Sequence, residues 1–361
     1  MKNSFGSSLS VSIFGESHGS AIGALIDGIA PGIKIDEDYI NKCLDQRRPY
    51  GKISTKRREP DKWQILSGVF NGYTTGTPIA ITIPNENTKS CDYKGLADTP
   101  RPGHADYTAE CKYHGFQDYR GGGHFSGRIT AALVLAGSII RSALEAKGIK
   151  IGTHISRLGK CTDRAIEVGD IDLINGKLFP VLDGKTEKEM VSEIERAAGV
   201  GDSVGGVLET IVSGLPAGVG EPFFDSIESI LSHMLFSIPG VKGVEFGAGF
   251  AIADMLGSEA NDPFCINDGK ISTKTNNNGG INGGITNGMP LLFRCAVKPT
   301  PSIFKEQETV SLSKMNDTSL TLSGRHDPAI VHRVRAVVDA ATAIALADLL
   351  VTRYGTDYLR T

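Results

Sequence analysis

Two stretches of this chain are apolar on nearly every side, and they restrict its fold more than any other feature. One, RITAALVLAGSIIRSALEA, follows Gly127 and ends at Gly148; the other runs from about Ala329 to Arg353. A helix lying on a protein surface keeps a polar face, so a helix apolar all round belongs inside a large core. The second stretch is most apolar from Ala336 to Val351, where Asp339 and Asp348 interrupt it, and that part is too short to span a bilayer. Both are expected as buried helices that need cover from several sides. Strand-like runs to supply it occur at 10–14, 23–29, 63–69, 78–83, 206–214 and 290–298.

Three further helices are marked by their caps. Asp36 opens an acidic first turn that runs to Gln46 or Arg47 before Pro49. Thr186 and Glu189 have capping-box spacing ahead of a helix stopping at Gly199. Asp225 and Glu228 play the same part for a helix stopping at Pro239-Gly240. SAIGALIDGIAPGI (20–33) and SVGGVLETIVSGLPAGV (203–219) echo each other as strand, Gly-Pro turn and capped helix. Chance similarity of Gly-rich turns and duplication both account for this. Duplication predicts an α+β fold with a pseudo-twofold internal repeat, in which sheets enclose central helices. No Pro/Ser linker breaks residues 1–361, so a single domain is expected.

A net charge of −3 gives no global field for nucleic acid or an anionic membrane, so any anion site must come from local clustering. Six scattered cysteines without CxxC spacing argue against a zinc site or a disulfide framework, and fit a reducing cytoplasm. The N-terminus has neither the apolar core nor the cleavage pattern of a signal peptide. No HExxH or His-x3-His spacing occurs, so no metal is expected.

The local clusters are distinct. Gly15-Glu16-Ser17-His18-Gly19 follows a strand, where glycines permit close ligand approach and His18 can move a proton near neutral pH. A turn with a hydrogen-bonded histidine is the plainer reading. Residues 42–62 hold eight basic residues (Lys42, Arg47, Arg48, Lys52, Lys56, Arg57, Arg58, Lys62) against three acidic ones. Such a run is usually a solvated face, but Arg47 and Arg48 stand where a helix meets a Pro-Tyr-Gly turn, and Arg forks suit carboxylates and phosphates. Arg101-Pro102-Gly103-His104-Ala105-Asp106 precedes Tyr119-Arg120-Gly121-Gly122-Gly123-His124-Phe125-Ser126-Gly127-Arg128. Gly122 to Gly127 has phosphate-loop spacing, yet Arg128-Ile129 follows in place of Lys-Ser/Thr and no strand precedes, which excludes a P-loop NTPase. What remains is a glycine run whose N–H groups would cradle an anion at a helix start. Lys298-Pro299-Thr300-Pro301-Ser302 ends a strand, and Gly324-Arg325-His326-Asp327-Pro328 precedes the last helix, where Asp327 reads as its N-cap. Five of eight histidines (18, 104, 114, 124, 326) fall in or beside these loops.

With these motifs in order, the chain resembles the chorismate synthases. GESHG, DQRRP with KRREPD, LSGVFNGYTTGTPIAI, RPGHADYT, DYRGGG, GGINGGI, KPT and GRHDP carry the resemblance across almost the whole chain. It implies a β-α-β sandwich with buried helices, a cytoplasmic homotetramer, and conversion of 5-enolpyruvylshikimate 3-phosphate to chorismate and phosphate. That reaction is a 1,4-anti elimination without net redox change that needs reduced FMN. The resemblance makes His18 the acid at the leaving phosphate and gives His104 the charge of the reduced flavin. It makes Asp327 an aid to deprotonation at flavin N5, and Ser17 an orienting group. Arg47, Arg48, Lys52 and Arg325 would hold anions. His124, Phe125, Ser126, Gly283, Lys298, Pro299, Thr300, Pro301, Ser302 and Arg325 would line the FMN site. Reducing equivalents would come from NADPH at the chain itself or from an external flavin reductase.

The chain departs from the pattern at His124-Phe125, where Arg-Ser is usual, at Lys52 for Arg, and at Pro301 for Ser. Two rival readings stand beside the lyase: a flavin- or nucleotide-binding protein without that activity, and a nucleic-acid binder, the latter disfavoured by the net charge.

Overall fold

The computed structural model describes residues 2–55, 59–86, 97–322, 324 and 326–360. Lys56, Arg57, Arg58, Cys91 and Arg325 lie outside them.

Two antiparallel five-stranded sheets form the outer layers. The first holds β1 (Ser4–Phe5), β2 (Ser10–Gly15), β3 (Ala21–Asp27), β4 (Gln64–Ile65) and β5 (Ile79–Pro84), in the order β1-β2-β3-β5-β4. The second holds β6 (Lys150–Leu158), β7 (Cys161–Thr162), β8 (Gly206–Ser213), β9 (Val241–Phe246) and β10 (Leu291–Val297), in the order β9-β10-β8-β6-β7. Alternation sets the inner faces: Ile79, Ile81 and Ile83 of β5, and Leu291, Phe293, Cys295 and Val297 of β10, are all buried.

Between the sheets run α1 (Glu37–Arg47), α3 (Thr130–Ala146) and the last helix, α6 (Val331–Tyr354). The remaining helices used below are α2 (Asp106–Tyr113), α4 (Gly184–Gly199) and α5 (Ile227–Phe236). α3 packs on the first sheet, α6 on the second, and the two cross each other. Gly137 lies so close to Ala340 that a Cβ there would overlap it, so the small residues of both helices set how near the layers come. One hydrophobic cluster, from Leu9 to Leu359, joins both sheets and the helices.

The expected α+β layering with buried helices is what the structure has. Gly127–Ala146 is long and apolar enough to cross a membrane by length and composition, but it is largely buried within this core. The repeat is far more complete than its sequence echo. In chain order, β2, β3, α1, β4, β5 and α3 correspond to β6, β8, α5, β9, β10 and α6, and the matched strands take the same places in both sheets.

The two aspartates that interrupt α6 each have a buried task. Asp339 pairs with Arg141 at 3.1 Å and with Arg335 at 3.5 Å, so its charge is spent inside the helical layer. Asp348 accepts the backbone N–H groups of Ser7, Ser8 and Leu9 at 2.8–3.0 Å, tying the N-terminal segment to the last helix.

Three cap expectations need correction. Asp36 caps α1 as read, accepting from the Tyr39 amide. α4, however, starts earlier, with Asp183 accepting from the Thr186 amide. Ser226, not Asp225, caps α5. Asp327 does not cap α6, which begins at Val331 without a side-chain cap. Its carboxylate is taken by tertiary partners, described next.

Candidate active site

The site is assembled around the turn Gly121–Gly123. All three glycines have φ between 53° and 83°, left-handed backbone that other residues adopt at a cost. A Cβ on Gly121 would overlap the His18 ring and come within 2.9 Å of Ser17 Oγ. One on Gly122 would stand 3.3 Å from Cε1 and Nε2 of His104. The two imidazoles therefore flank consecutive glycines, although their loops lie more than eighty residues apart. Ser17 N donates to Gly123 O at 3.0 Å, which locks the loop after β2 to this turn. The expected anion cradle at a helix start is not formed by these glycines, because the turn Gly127–Ile129 and its cap Ser126 stand between them and α3.

His18 and Ser17 are buried, the latter completely. His104 Nδ1 lies 2.6 Å from Asp106 Oδ1, and Arg101 grips both Asp106 oxygens at 2.8 Å. Burial would raise the Asp106 carboxyl, but the bonds from Arg101 and His104 outweigh it and hold it well below the usual range. The 298–302 loop closes over this group. Lys298 Nζ donates to Gly103 O, Arg101 Nη1 reaches Ser302 Oγ at 3.4 Å, and Pro301 stands over Gly103. Burial and the nearby Lys242 lower the Lys298 ammonium.

A second group of charges adjoins the first. Asp61 is buried and paired with Arg128 and Arg48. Arg128 Nε donates to Asn85, whose amide in turn holds the carbonyls of Glu16 and Gly19. Arg47 is buried, with Nε on Thr130 Oγ1 at 2.9 Å and Nη2 on Gly127 O at 2.6 Å. Burial and neighbouring Arg333 push the Arg47 guanidinium down to about 9, a sign of positive charge that wants an anion. Asp327 accepts from the Thr55 amide at 2.8 Å and from Arg333 Nη1 at 2.5 Å. This prior engagement is why it does not cap α6. Four guanidinium groups (Arg47, Arg48, Arg128, Arg333) thus face three carboxylates (Asp45, Asp61, Asp327).

Comparison with known proteins decides the family. The family model described as chorismate synthase matches residues 9–351. The chain belongs to the chorismate synthase family. It is 48% identical over 345 residues to the chorismate synthase of Pyrococcus abyssi (strain GE5 / Orsay), covering 96% of each. It is likewise 48% identical over 351 residues to that of Dehalococcoides mccartyi (strain ATCC BAA-2100 / JCM 16839 / KCTC 5957 / BAV1), covering 97% of this chain and 96% of the other. A crystal structure of chorismate synthase superposes with a TM-score of 0.77 at 29% identity, covering 98% of this chain and 94% of that one.

Within this chorismate synthase fold the remaining site candidates are unevenly placed. Ser126 adjoins the Gly122 turn. His124 Nδ1 lies 2.8 Å from the Gly15 carbonyl, and the Phe125 ring meets Tyr113 edge-on. Thr300 is part-buried, its carbonyl accepting from Ser203, while Pro299 packs against Gly205. Lys52 is exposed, and Arg325 lies outside the described residues. Gly283 is not brought to the cluster. It sits at the tip of the hairpin Ile281–Thr286, beside the start of β10, whereas Lys298 follows that strand's end, about 20 Å away by strand rise. His114 stands exposed at the end of α2, next to Tyr113.

Asp61, Asn85 and Arg333 were not singled out from the sequence. Asp61 lay in a basic run as one of its few acids, and Arg333 lay inside an apolar helix. An unpaired charge in such a helix was the available signal.

Proposed function

We propose that this chain is a reduced-FMN-dependent lyase that converts 5-enolpyruvylshikimate 3-phosphate to chorismate and phosphate, in the shikimate route to aromatic amino acids. The observation that carries the reading is the convergence of His18 and His104 on Gly121 and Gly122, next to guanidinium groups in excess of carboxylates. A substrate with one phosphate and two carboxylates needs such preorganised cations and N–H donors. His18 would hold the proton that the departing phosphate takes. Arg47, Arg48 and Lys52 supply positive charge, and Asp327 is the acceptor on the loop before α6.

The residues fit a flavin phosphate. Ser17 Oγ and Thr300 Oγ1 are buried hydroxyls without a hydrogen-bond partner among the described residues, and a buried hydroxyl left unpaired is costly unless a ligand meets it. Lys298, Pro299, Thr300, Pro301 and Ser302, with His124, Phe125 and Ser126, would hold the cofactor. Reduced flavin, when bound, supplies electron density that eases loss of the allylic phosphate without net redox change. Gly283 would reach that site only from a neighbouring copy. This agrees with a homotetramer, as do Phe223, Phe224, Phe250, Phe264, Ile266 and Ile271, all largely exposed on one chain. A cytoplasmic setting suits a chain whose described cysteines are free thiols.

The test is anaerobic incubation with dithionite-reduced FMN and 5-enolpyruvylshikimate 3-phosphate, following chorismate and phosphate. Stoichiometric release of both supports the lyase. Bound flavin without turnover favours the second reading, a flavin-binding protein without lyase activity, for which His124 and Phe125 are the specific observation. Oxidation of NADPH by the chain with FMN would assign flavin reduction to the chain, and its absence would assign it to an external reductase.

A further inference from the structure

We infer that Asp106 is a positioning residue that fixes which ring nitrogen of His104 faces the Gly122 turn. The inference rests on the reading that His104 works at this site. Asp106 is the first residue of α2, and Arg101 holds it with its backbone amide (3.0 Å), Nε (2.8 Å) and Nη2 (2.8 Å). His104 Nδ1 has two neighbours, Asp106 Oδ1 at 2.6 Å and Arg101 Nη2 at 3.0 Å. A guanidinium only donates, so Arg101 would require a bare Nδ1, whereas Asp106 requires a proton between the two atoms. The shorter contact prevails. A carboxylate already neutralised by two guanidinium bonds does not take the proton itself, so Nδ1 carries it.

The consequence falls on the opposite nitrogen. With Nδ1–H given to Asp106, Nε2 is the nitrogen left to take up or give a proton, and Nε2 and Cε1 are the ring atoms that face Gly122. Arg101 also reaches Ser302, so the clamp on Asp106 is continuous with the 298–302 loop. Asp106 and Arg101 thus set the His104 ring from behind, much as a carboxylate orients a ligating histidine.

The experiment uses the full chain labelled with 15N-histidine. In the wild type the neutral His104 ring is expected to carry its proton on Nδ1. Asp106→Asn is expected to move population to the Nε2–H tautomer and to lower kcat by about ten- to hundredfold, with KM changed less than threefold. Asp106→Glu should recover part of the rate. A wild-type ring protonated on Nε2 overturns the inference, and this reading needs no variant to fold. Asp106→Asn with an unchanged ring spectrum and rate overturns it too. Full turnover in His104→Ala would instead remove the functional reading of His104 while leaving the tautomer result standing, so the two failures are distinguishable.

Discussion

In the first half of the chain, β2 runs out into the loop that carries Ser17 and His18; in the second, its counterpart β6 turns directly through Gly159 and Lys160 into β7. α1 ends in Arg47 and Arg48, whereas its counterpart α5 ends in Phe236 and the uncharged turn Ser237-Ile238. The approaches to the two central helices are alike, since both feed the site: residues 120–128 before α3, and Asp327 with Arg333 before and in α6. The segments after β5 (Asn85, Arg101, His104) and after β10 (Lys298, Ser302) form a second such pair. The outer faces differ as well. The first sheet leaves Phe14 and Leu25 exposed, while the second is covered by residues 163–182, with Ile166, Ile171 and Ile174 packed on Ile211. Under that cover His154 is buried between Asp163 at 3.2 Å and Glu209 at 3.0 Å. The same frame therefore brings the loops after β2 and α1 to the candidate site in the first half, and covers the outer face of the sheet in the second.

Substitutions can break this contrast. The largest effect is expected at His18→Ala, which should lower kcat by about 10²- to 10⁴-fold with little change in the urea midpoint. Lys160→Ala, at the corresponding turn of the second half, should leave turnover unchanged. A wild-type rate for the first variant, or a large loss for the second, would remove the functional asymmetry.

Asp339→Asn tests the electrostatic tie between the halves. It leaves Arg141 and Arg335 buried without their shared carboxylate, and a loss of about 3–5 kcal/mol in urea unfolding is expected. A loss under about 1 kcal/mol would mean that the halves are held by packing alone. Gly137→Ala should cost about 1–3 kcal/mol, because the new methyl group meets Ala340 where the helices cross. Adding Ala340→Gly should return part of that loss. Ser226→Ala is the smallest expected effect, about 1 kcal/mol, and it checks that Ser226 rather than Asp225 starts α5. Asp225→Ala should be nearly neutral.

Elements governed by local signals were legible. Asp36 and the acidic turn after it announced α1, and the alternation of 78–83 announced β5, because a helix cap and a half-buried strand are written within a few neighbouring residues. β6 was missed because Thr153, His154 and Ser156 place polar side chains in a strand whose partners lie elsewhere in the chain. Residues 63–69 read as one strand but form two short pieces, Gln64–Ile65 and Val69–Phe70, on different sheets. At the site, His18, His104 and the glycine run were visible as motifs. Their partners were not, since Asp106, Asp61 and Arg333 gain meaning only from what the fold sets beside them.

The apolar pattern of 127–148 and 329–353 was enough by itself to demand two buried helices and sheets to cover them, because burial of an all-round apolar helix depends on composition and not on partners. Motif order was enough to point to the family. Only the tertiary structure decided that the faint echo is a complete repeat, that Asp327 serves Thr55 and Arg333 instead of capping a helix, and that two distant histidines meet across Gly121 and Gly122. Caps and periodicities are short-range, whereas each of these contacts joins segments far apart in sequence, where no local pattern records the partner.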